Sequence, residues 1–323
     1  MMKAIQFKQF GEPDVLKLVS LATPENSKNE VLIKVHAAAL NPIDYKIREG
    51  SSFVSKKLKD HLPSGLGYDF SGEVVGLGND VSHFDVGDKV MGLAGFPDHP
   101  CCYAQYLCAS PDTIIKKPAN VSYSKAAALT TAGLTALQAL KLSHVKAGDT
   151  VLIHAGAGGV GHLAIQLAKQ IGAAVITTAS KKNHDFLQAL GADQCIDYGE
   201  EDFRYAIGKP VDVVIDLVGG DVGAQSIDCL AANGILVTVP TITAEKVIAA
   251  AKDKNRKALG LLKKDNMEDL RYLADLANEK KLKVEISHQF RLNEAIAAHQ
   301  LLESGHVRGK LVFNMESIKE ILP

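Results

Sequence analysis

The sequence lacks the features that would tie it to a metal framework, a membrane or a polyanion. Its five cysteines, Cys101, Cys102, Cys108, Cys195 and Cys229, form an odd set without CxxC spacing. That argues against a disulfide scaffold and a zinc knuckle, and for reduced thiols. Asp98, His99, Cys101 and Cys102 come nearest to a ligand set. Adjacent cysteines on a strand face opposite sides, however, and no second cluster completes the donors, so no metal is expected. Formal net charge is -1 and no run of Lys or Arg stands out. Electrostatics therefore give nucleic acid and anionic membrane no support. No apolar run reaches the ~20 residues that cross a bilayer. Residues 1–7 alternate like a strand and resemble neither a signal peptide nor an Arg-rich transit helix. A cytoplasmic location is the expectation. No repeat and no low-complexity segment interrupts the chain, which excludes solenoids.

What is present is a globular composition, 46% hydrophobic and 23% charged over 323 residues. This length exceeds what one hydrophobic core serves, so two domains are expected. Residues 1–117 carry short β-like runs, at 31–35, 72–75 and 89–91, with Gly87-Asp88 as a turn before the last. They read as an all-β unit. From Ser122 the texture turns helical, with an Ala/Leu-rich stretch at 126–142. Short apolar runs at 150–154, 174–178, 194–196, 211–216 and 234–239 then alternate with helical segments at 160–171, 182–190, 201–207 and 221–231. Such alternation predicts an α/β domain with a doubly wound parallel sheet covered on both faces. Residues 256–262 fit a sixth, edge strand, and helices are expected at 267–279 and 292–302. The β texture after Lys283 indicates a return to the first domain. The expected division is 122–283 as a Rossmann domain inserted into a domain made of 1–121 and 284–323.

The most informative stretch follows the strand at 150–154. Gly156, Gly158 and Gly161 stand at the G-x-G-x-x-G positions, between a strand and a helix. The first allows the tight turn, the second lets backbone approach a pyrophosphate, and the third permits close helix–strand packing. The helix N-terminus adds unpaired N–H groups and a favourable dipole. His154, at the end of the strand, reads as a structural hydrogen bonder rather than a base.

An NAD site usually places Asp or Glu about 20 residues past this loop, to bind the adenosine ribose hydroxyls. This chain has Ala179-Ser180-Lys181-Lys182 there, with Asp185 one turn into the next helix. A hydroxyl and ammonium groups suit a 2′-phosphate, whereas a carboxylate would repel it. Cations at a helix start are unfavourable by the dipole, which favours a binding role for them. The expected cofactor is NADP(H).

Ordered motifs extend this picture over nearly the whole chain. They are Asn41-Pro42-Ile43-Asp44, Gly67-Tyr68-Asp69-Phe70-Ser71-Gly72-Glu73-Val74, Gly87-Asp88-Lys89-Val90 and Thr131-Ala132-Gly133-Leu134-Thr135-Ala136. The glycine loop, Ala297-Ala298-His299 and Gly309-Lys310-Leu311-Val312 complete the set. By these the chain resembles the zinc-independent quinone oxidoreductase branch of the medium-chain dehydrogenase/reductase superfamily. Asp44-Tyr45-Lys46 brings it near the enone and alkenal reductases. The resemblance implies a GroES-like catalytic domain, a Rossmann domain, and NADP(H) between them. It also implies a homodimer joined through Rossmann edge strands near 256–262. Zinc alcohol dehydrogenases of the superfamily place Cys where Asn41 stands and His-Glu where Tyr68-Asp69 stand, and carry a cysteine-rich lobe absent here. Without thiolate and imidazole ligands no Lewis acid activates an alcohol.

The resemblance implies hydride transfer from the nicotinamide to a quinone or to the β-carbon of an enone. It places Asn41 and Thr131 at the nicotinamide end, Gly158, Gly159 and Val160 at the pyrophosphate, and Ser180, Lys181 and Tyr198 around the 2′-phosphate. Val218, Val239 and Lys310 are further expected cofactor contacts. Tyr45 and Lys46 are the candidates to donate toward the substrate oxygen. Several quinone reductases of the branch carry tyrosines near the positions of Lys46 and Phe53, and this chain departs from that pattern. Quinone and enone therefore both stay open. The rival of a different class is a non-catalytic NADPH-binding protein with a structural or RNA-binding role.

Overall fold

Residues 1–315 are described by the computed structural model. By contact they fall into two units, Met1–Thr131 with the chain from Asp265 onward, and Ala132–Lys264. The first unit opens with β1 (Met2–Gln6) and β2 (Lys17–Leu21), an antiparallel ribbon. β3 (Val31–Ala39) leads into α1 (Pro42–Glu49) and α2 (Phe53–Leu58). The strands β4 (Asp69–Leu77), β5 (Lys89–Leu93), β6 (Tyr106–Ala109) and β7 (Ile114–Lys116) follow. α3 (Tyr123–Leu142) carries the chain out of this unit.

The second unit alternates without exception: β8 (Thr150–Ile153), α4 (Gly161–Ile171), β9 (Ala174–Ala179), α5 (His184–Ala189) and β10 (Gln194–Asp197). It continues with α6 (Phe203–Ala206), β11 (Val211–Asp216), α7 (Gly220–Ser226), β12 (Leu230–Thr238), α8 (Ala244–Asp253) and β13 (Lys257–Gly260). The chain re-enters the first unit with α9 (Met267–Asn278), β14 (Ile286–Phe290), α10 (Ala295–Glu303) and β15 (Lys310–Asn314).

The first unit's large sheet has the order β14-β15-β3-β4-β5-β7, with β6 also paired to β3. β3 shows why it forms: Val31, Ile33 and Val35 are buried while Leu32, Lys34 and His36 are less so, the period of a strand with one face in the core. Phe7, Leu40, Tyr68, Phe70, Tyr103 and Phe313 fill that core.

The expectation of an all-β first domain is corrected here by α1 and α2. Asn41 sits in extended backbone as the N-cap of α1, Pro42 occupies its first position, and Gly50 at φ +94° ends it. The helix escapes a hydrophobic-period search because its buried face carries Asp44 and Arg48 beside Ile47.

The second sheet has the order β10-β9-β8-β11-β12-β13, every pair parallel. This is the doubly wound arrangement in which the strand order reverses between β8 and β11. The helix expected at 221–231 is shorter than that: α7 stops at Ser226 and β12 already begins at Leu230. Ile227, Cys229 and Leu230 are buried, and Leu230 pairs with Val211 before a register shift. β13 is an edge strand, as 256–262 suggested. α9, expected with the parallel sheet, packs against β7 of the first unit, its buried face being Leu270, Leu273 and Ala274. Among the described residues no helix is long and apolar enough to cross a membrane.

Candidate active site

The first unit gathers a buried polar network from five separate segments. The turn from β3 into α1 presents Asn41, whose N–H donates to Asp44 Oδ2 at 2.7 Å while its carbonyl accepts from the Asp44 N–H. The Asn41 side chain is held at both ends. Lys310 Nζ donates to its Oδ1 at 2.5 Å, and its Nδ2 donates to Asp69 Oδ2 at 2.8 Å. Lys310 also donates to Leu40 O at 2.6 Å. Asp69 accepts in addition from Thr131 Oγ1, at 2.5 Å, and from the Thr131 N–H. Tyr103 closes the group by donating its hydroxyl to Asp44 Oδ2 at 2.8 Å.

Asp44, Asp69 and Lys310 are all buried. Desolvation raises the Asp44 carboxyl to about 7, overcoming the bonds from Asn41 and Tyr103, with the charge of Asp69 adding to the rise. Burial pushes the Lys310 ammonium down, opposed by the charges of Asp69 and Asp44. A protonated Asp44 reduces the charge that this buried, low-dielectric cluster has to hold.

The structure thus brings Asn41, Thr131 and Lys310 together. Tyr45 and Lys46 lie on α1 immediately after Asp44, half-buried, with Lys46 Nζ 6.0 Å from the Tyr45 ring centroid. Burial raises the Tyr45 hydroxyl, helped by Glu49 and Glu303, and burial lowers the Lys46 ammonium against the pull of Glu49.

In the second unit the expected residues stand at the carboxyl ends of the parallel strands. The glycine loop follows β8 and leads into α4, whose first turn has no side-chain cap. Its glycines divide by function. A Cβ on Gly156 would collide with Thr177 Oγ1, and one on Gly161 with Ala155 O and the Gly156 backbone, so these two serve packing. A Cβ on Gly158 would meet only Ala155 O, at 3.2 Å, and Gly158, Gly159 and Val160 form a part-exposed run at the end of the loop. That open backbone at a helix N-terminus fits a pyrophosphate.

Ser180 and Lys181 follow β9, and Tyr198 follows β10, 56% exposed. Val218 and Val239 follow β11 and β12. Asp185 is exposed on α5. Two carboxylates that sequence reasoning missed organise these ends. Asp197 accepts from the Lys181 and Gly199 N–H groups at 3.2 and 3.0 Å. Asp216 accepts from the Val218 and Gly219 N–H groups and from Thr238 Oγ1. Gly199, Val218 and Gly219 are local partners, whereas Lys181 and Thr238 follow only from strand neighbourhood, such as the pairing of Asp197 with Ala179.

Against known proteins, the alcohol dehydrogenase GroES-like domain matches residues 27–119 and the zinc-binding dehydrogenase domain matches residues 190–313. The structure of the quinone oxidoreductase from Coxiella burnetii is 70% identical with a TM-score of 0.96, over 97% of this chain and 99% of that one. A chloroplastic quinone-oxidoreductase homolog of Spinacia oleracea is 34% identical, over 97% of this chain and 98% of that protein. The chain belongs to the quinone oxidoreductase branch of the medium-chain dehydrogenase/reductase superfamily. A chloroplastic NADPH-dependent alkenal/one oxidoreductase of Arabidopsis thaliana is also 34% identical, over 96% of this chain and 79% of that protein.

The matching domain's description mentions zinc, but this quinone oxidoreductase homologue commits the positions in question to one another. Asn41 and Asp69 are bonded together, and Lys310 places a cation on Asn41. Among the described residues no group of three or more His, Cys, Asp or Glu is placed to hold a metal ion. Of the four residues considered above, Asp98 pairs with Lys57 and Cys102 is buried.

Proposed function

We propose that the protein is a zinc-independent, NADPH-dependent reductase of quinones or α,β-unsaturated carbonyls. The observation that carries this is the uncapped start of α4, with its part-exposed Gly158–Val160 segment, at the carboxyl edge of β8 beside Ser180 and Lys181. NADPH, when bound, supplies the hydride. The second unit holds its phosphates: the N–H groups of Gly159 and Val160, beside the open Gly158, meet the pyrophosphate, and the Ser180 hydroxyl with the Lys181 ammonium meets the 2′-phosphate. Ser180 Oγ accepts from Asn183 Nδ2 at 3.2 Å, which leaves its proton for an anion. Tyr198, Val218 and Val239 border this binding edge.

The first unit supplies the catalytic end. Asn41 and Thr131 meet the nicotinamide, with Lys310 behind them as the cation that holds Asn41. Tyr45 and Lys46 are the donors toward the substrate oxygen, where negative charge develops as hydride arrives. Division of labour follows the units, catalytic for the β-rich one and nucleotide-binding for the parallel sheet. The relatives named above are oxidoreductases, which supports an enzyme rather than a non-catalytic NADPH-binding protein. Two further parts of the reading are a cytoplasmic location and a homodimer. Pairing of β13 with its copy would remove the exposed sheet edge.

Loss of NADPH and NADH absorbance is the test, followed against an ortho-quinone, benzoquinone, acrolein and a long-chain enone. NADPH-selective turnover supports the reading and the preferred acceptor names the branch; NADPH bound but never oxidised sinks it. Lys181→Glu is expected to raise KM for NADPH about tenfold, the size of one lost charge-assisted hydrogen bond, with KM for NADH little changed. An unaltered cofactor ratio would remove Lys181 from the phosphate site. Dialysis against a strong chelator is expected to leave turnover intact, and activity lost and restored by zinc would overturn the metal-free reading.

A further inference from the structure

His154 follows β8 and directly precedes the glycine loop, and it is 1% exposed. Both ring nitrogens are engaged: Nδ1 lies 3.0 Å from Thr178 Oγ1, and Nε2 lies 2.8 Å from Ser226 Oγ. The partners determine the tautomer. Ser226 donates its hydroxyl proton to Val222 O at 2.6 Å, so toward His154 it accepts, and Nε2 carries the hydrogen. Nδ1 is then a bare lone pair that accepts from the Thr178 hydroxyl. Thr178 Oγ1 in turn accepts from the Ala155 N–H at 3.2 Å. One directed chain therefore runs from Ala155 through Thr178, His154 and Ser226 to the Val222 carbonyl.

Its two ends matter. Ala155 begins the glycine loop at φ +50°, a left-handed conformation that a non-glycine residue adopts at a cost. The loop hangs from it: the Gly156 N–H donates to Thr178 O, and the Gly158 N–H donates to Ala155 O. At the other end α7 follows immediately on the Val218-Gly219 turn. The groups facing the imidazole are Thr178 on β9, Ser226 on α7 and the edge-on ring of Phe203 on α6, with the charge of Asp216 on β11 acting on it. Burial lowers the imidazole to about 4 against that charge, so the neutral, Nε2-protonated ring persists through neutral pH.

We propose that His154 is a positioning residue for the dinucleotide, holding the glycine loop in the conformation that receives the pyrophosphate and joining it to α7. This rests on the reading that the loop binds NADPH. His154→Phe preserves the ring contact with Phe203 and deletes both hydrogen bonds. Its dissociation constant for NADPH, read from the fluorescence of the bound nucleotide, is expected to rise about tenfold, as one or two lost hydrogen bonds allow. NADH binding should weaken by the same factor, because the pyrophosphate is common to both. Binding of 2′-AMP, which has no pyrophosphate, should hold within about twofold, and the kinetic loss should fall on KM rather than kcat. An unchanged dissociation constant overturns the proposal, as does an equal loss for NADPH and 2′-AMP, which a merely structural role would produce. If His154→Phe does not fold, Thr178→Val breaks the same chain beside Ala155 and carries the same outcomes. Failure of the unaltered protein to bind NADPH would sink the underlying reading, whereas normal binding by wild type and variant alike sinks only the role of His154.

Discussion

Lys310→Met is expected to destabilise the fold by about 3 kcal/mol, the scale on which breaking a buried charge arrangement acts. The melting temperature should fall by roughly 4 °C for a chain of this size. The reason is that this ammonium holds several buried groups at once. It donates to Leu40 O and Asn41 Oδ1, and it is the cation among the buried Asp44 and Asp69. A methionine fills similar volume but leaves the Leu40 carbonyl and the Asn41 oxygen without their donor, and removes a buried charge that interacts with Asp69. Asn41 is then free to turn its amide, and through Asp69 the Thr131 hydroxyl loses its fixed direction. Turnover should therefore fall further than stability alone explains, by about tenfold or more at saturating NADPH. Thermal melts and kcat of wild type and Lys310→Met decide this. Equal melting temperatures would show that the ammonium is a bystander, and full activity in a destabilised variant would separate folding from catalysis.

Asp44→Asn should flatten the pH dependence of stability and make the protein more stable than wild type above neutral pH. Folding raises the Asp44 carboxyl from 3.8 to about 7, with desolvation the largest cause. Between those values the folded chain keeps a proton that the unfolded chain has released. Stability contributed by this group is therefore largest below about pH 4 and declines as pH rises to 7, by at most about 1.4 kcal/mol per unit. The geometry agrees with a protonated group. Oδ2 accepts from Asn41 and Tyr103, whereas buried Oδ1 has no hydrogen-bond partner, a poor setting for a shared negative charge. An amide mimics the protonated acid and cannot ionise. Urea unfolding of both proteins from pH 5 to pH 8 is the measurement. Curves that stay parallel across this range would show that Asp44 is ionised throughout.

The parts of the site that could be read from the sequence are those whose chemistry is local. Gly156, Gly158 and Gly161 announce themselves because strand, loop and helix start are contiguous, and Ser180-Lys181 follows one strand later. Helix α1 was missed although its cap residues, Asn41 and Pro42, are adjacent, since Asp44 and Arg48 occupy the face that an apolar period would mark. Asp197 and Asp216 were missed for another reason. Each is an ordinary strand-end aspartate until β10 lies beside β9 and β12 beside β11, when their oxygens meet the backbone of Lys181 and the hydroxyl of Thr238.

Alternating apolar runs and helical segments determined that this chain would build a parallel, doubly wound sheet, and the glycine spacing determined where a dinucleotide would meet it. Such features need only short-range periodicity and backbone freedom, which a linear sequence expresses directly. Tertiary structure alone decided that Asp44, Asp69, Tyr103, Thr131 and Lys310, separated by up to most of the chain's length, share one buried network. It also decided that a carboxyl there holds its proton near neutrality and that His154 carries its hydrogen on Nε2. Charge state and tautomer are set by desolvation and by the partner across the bond, and both come into being only when distant segments close over the group.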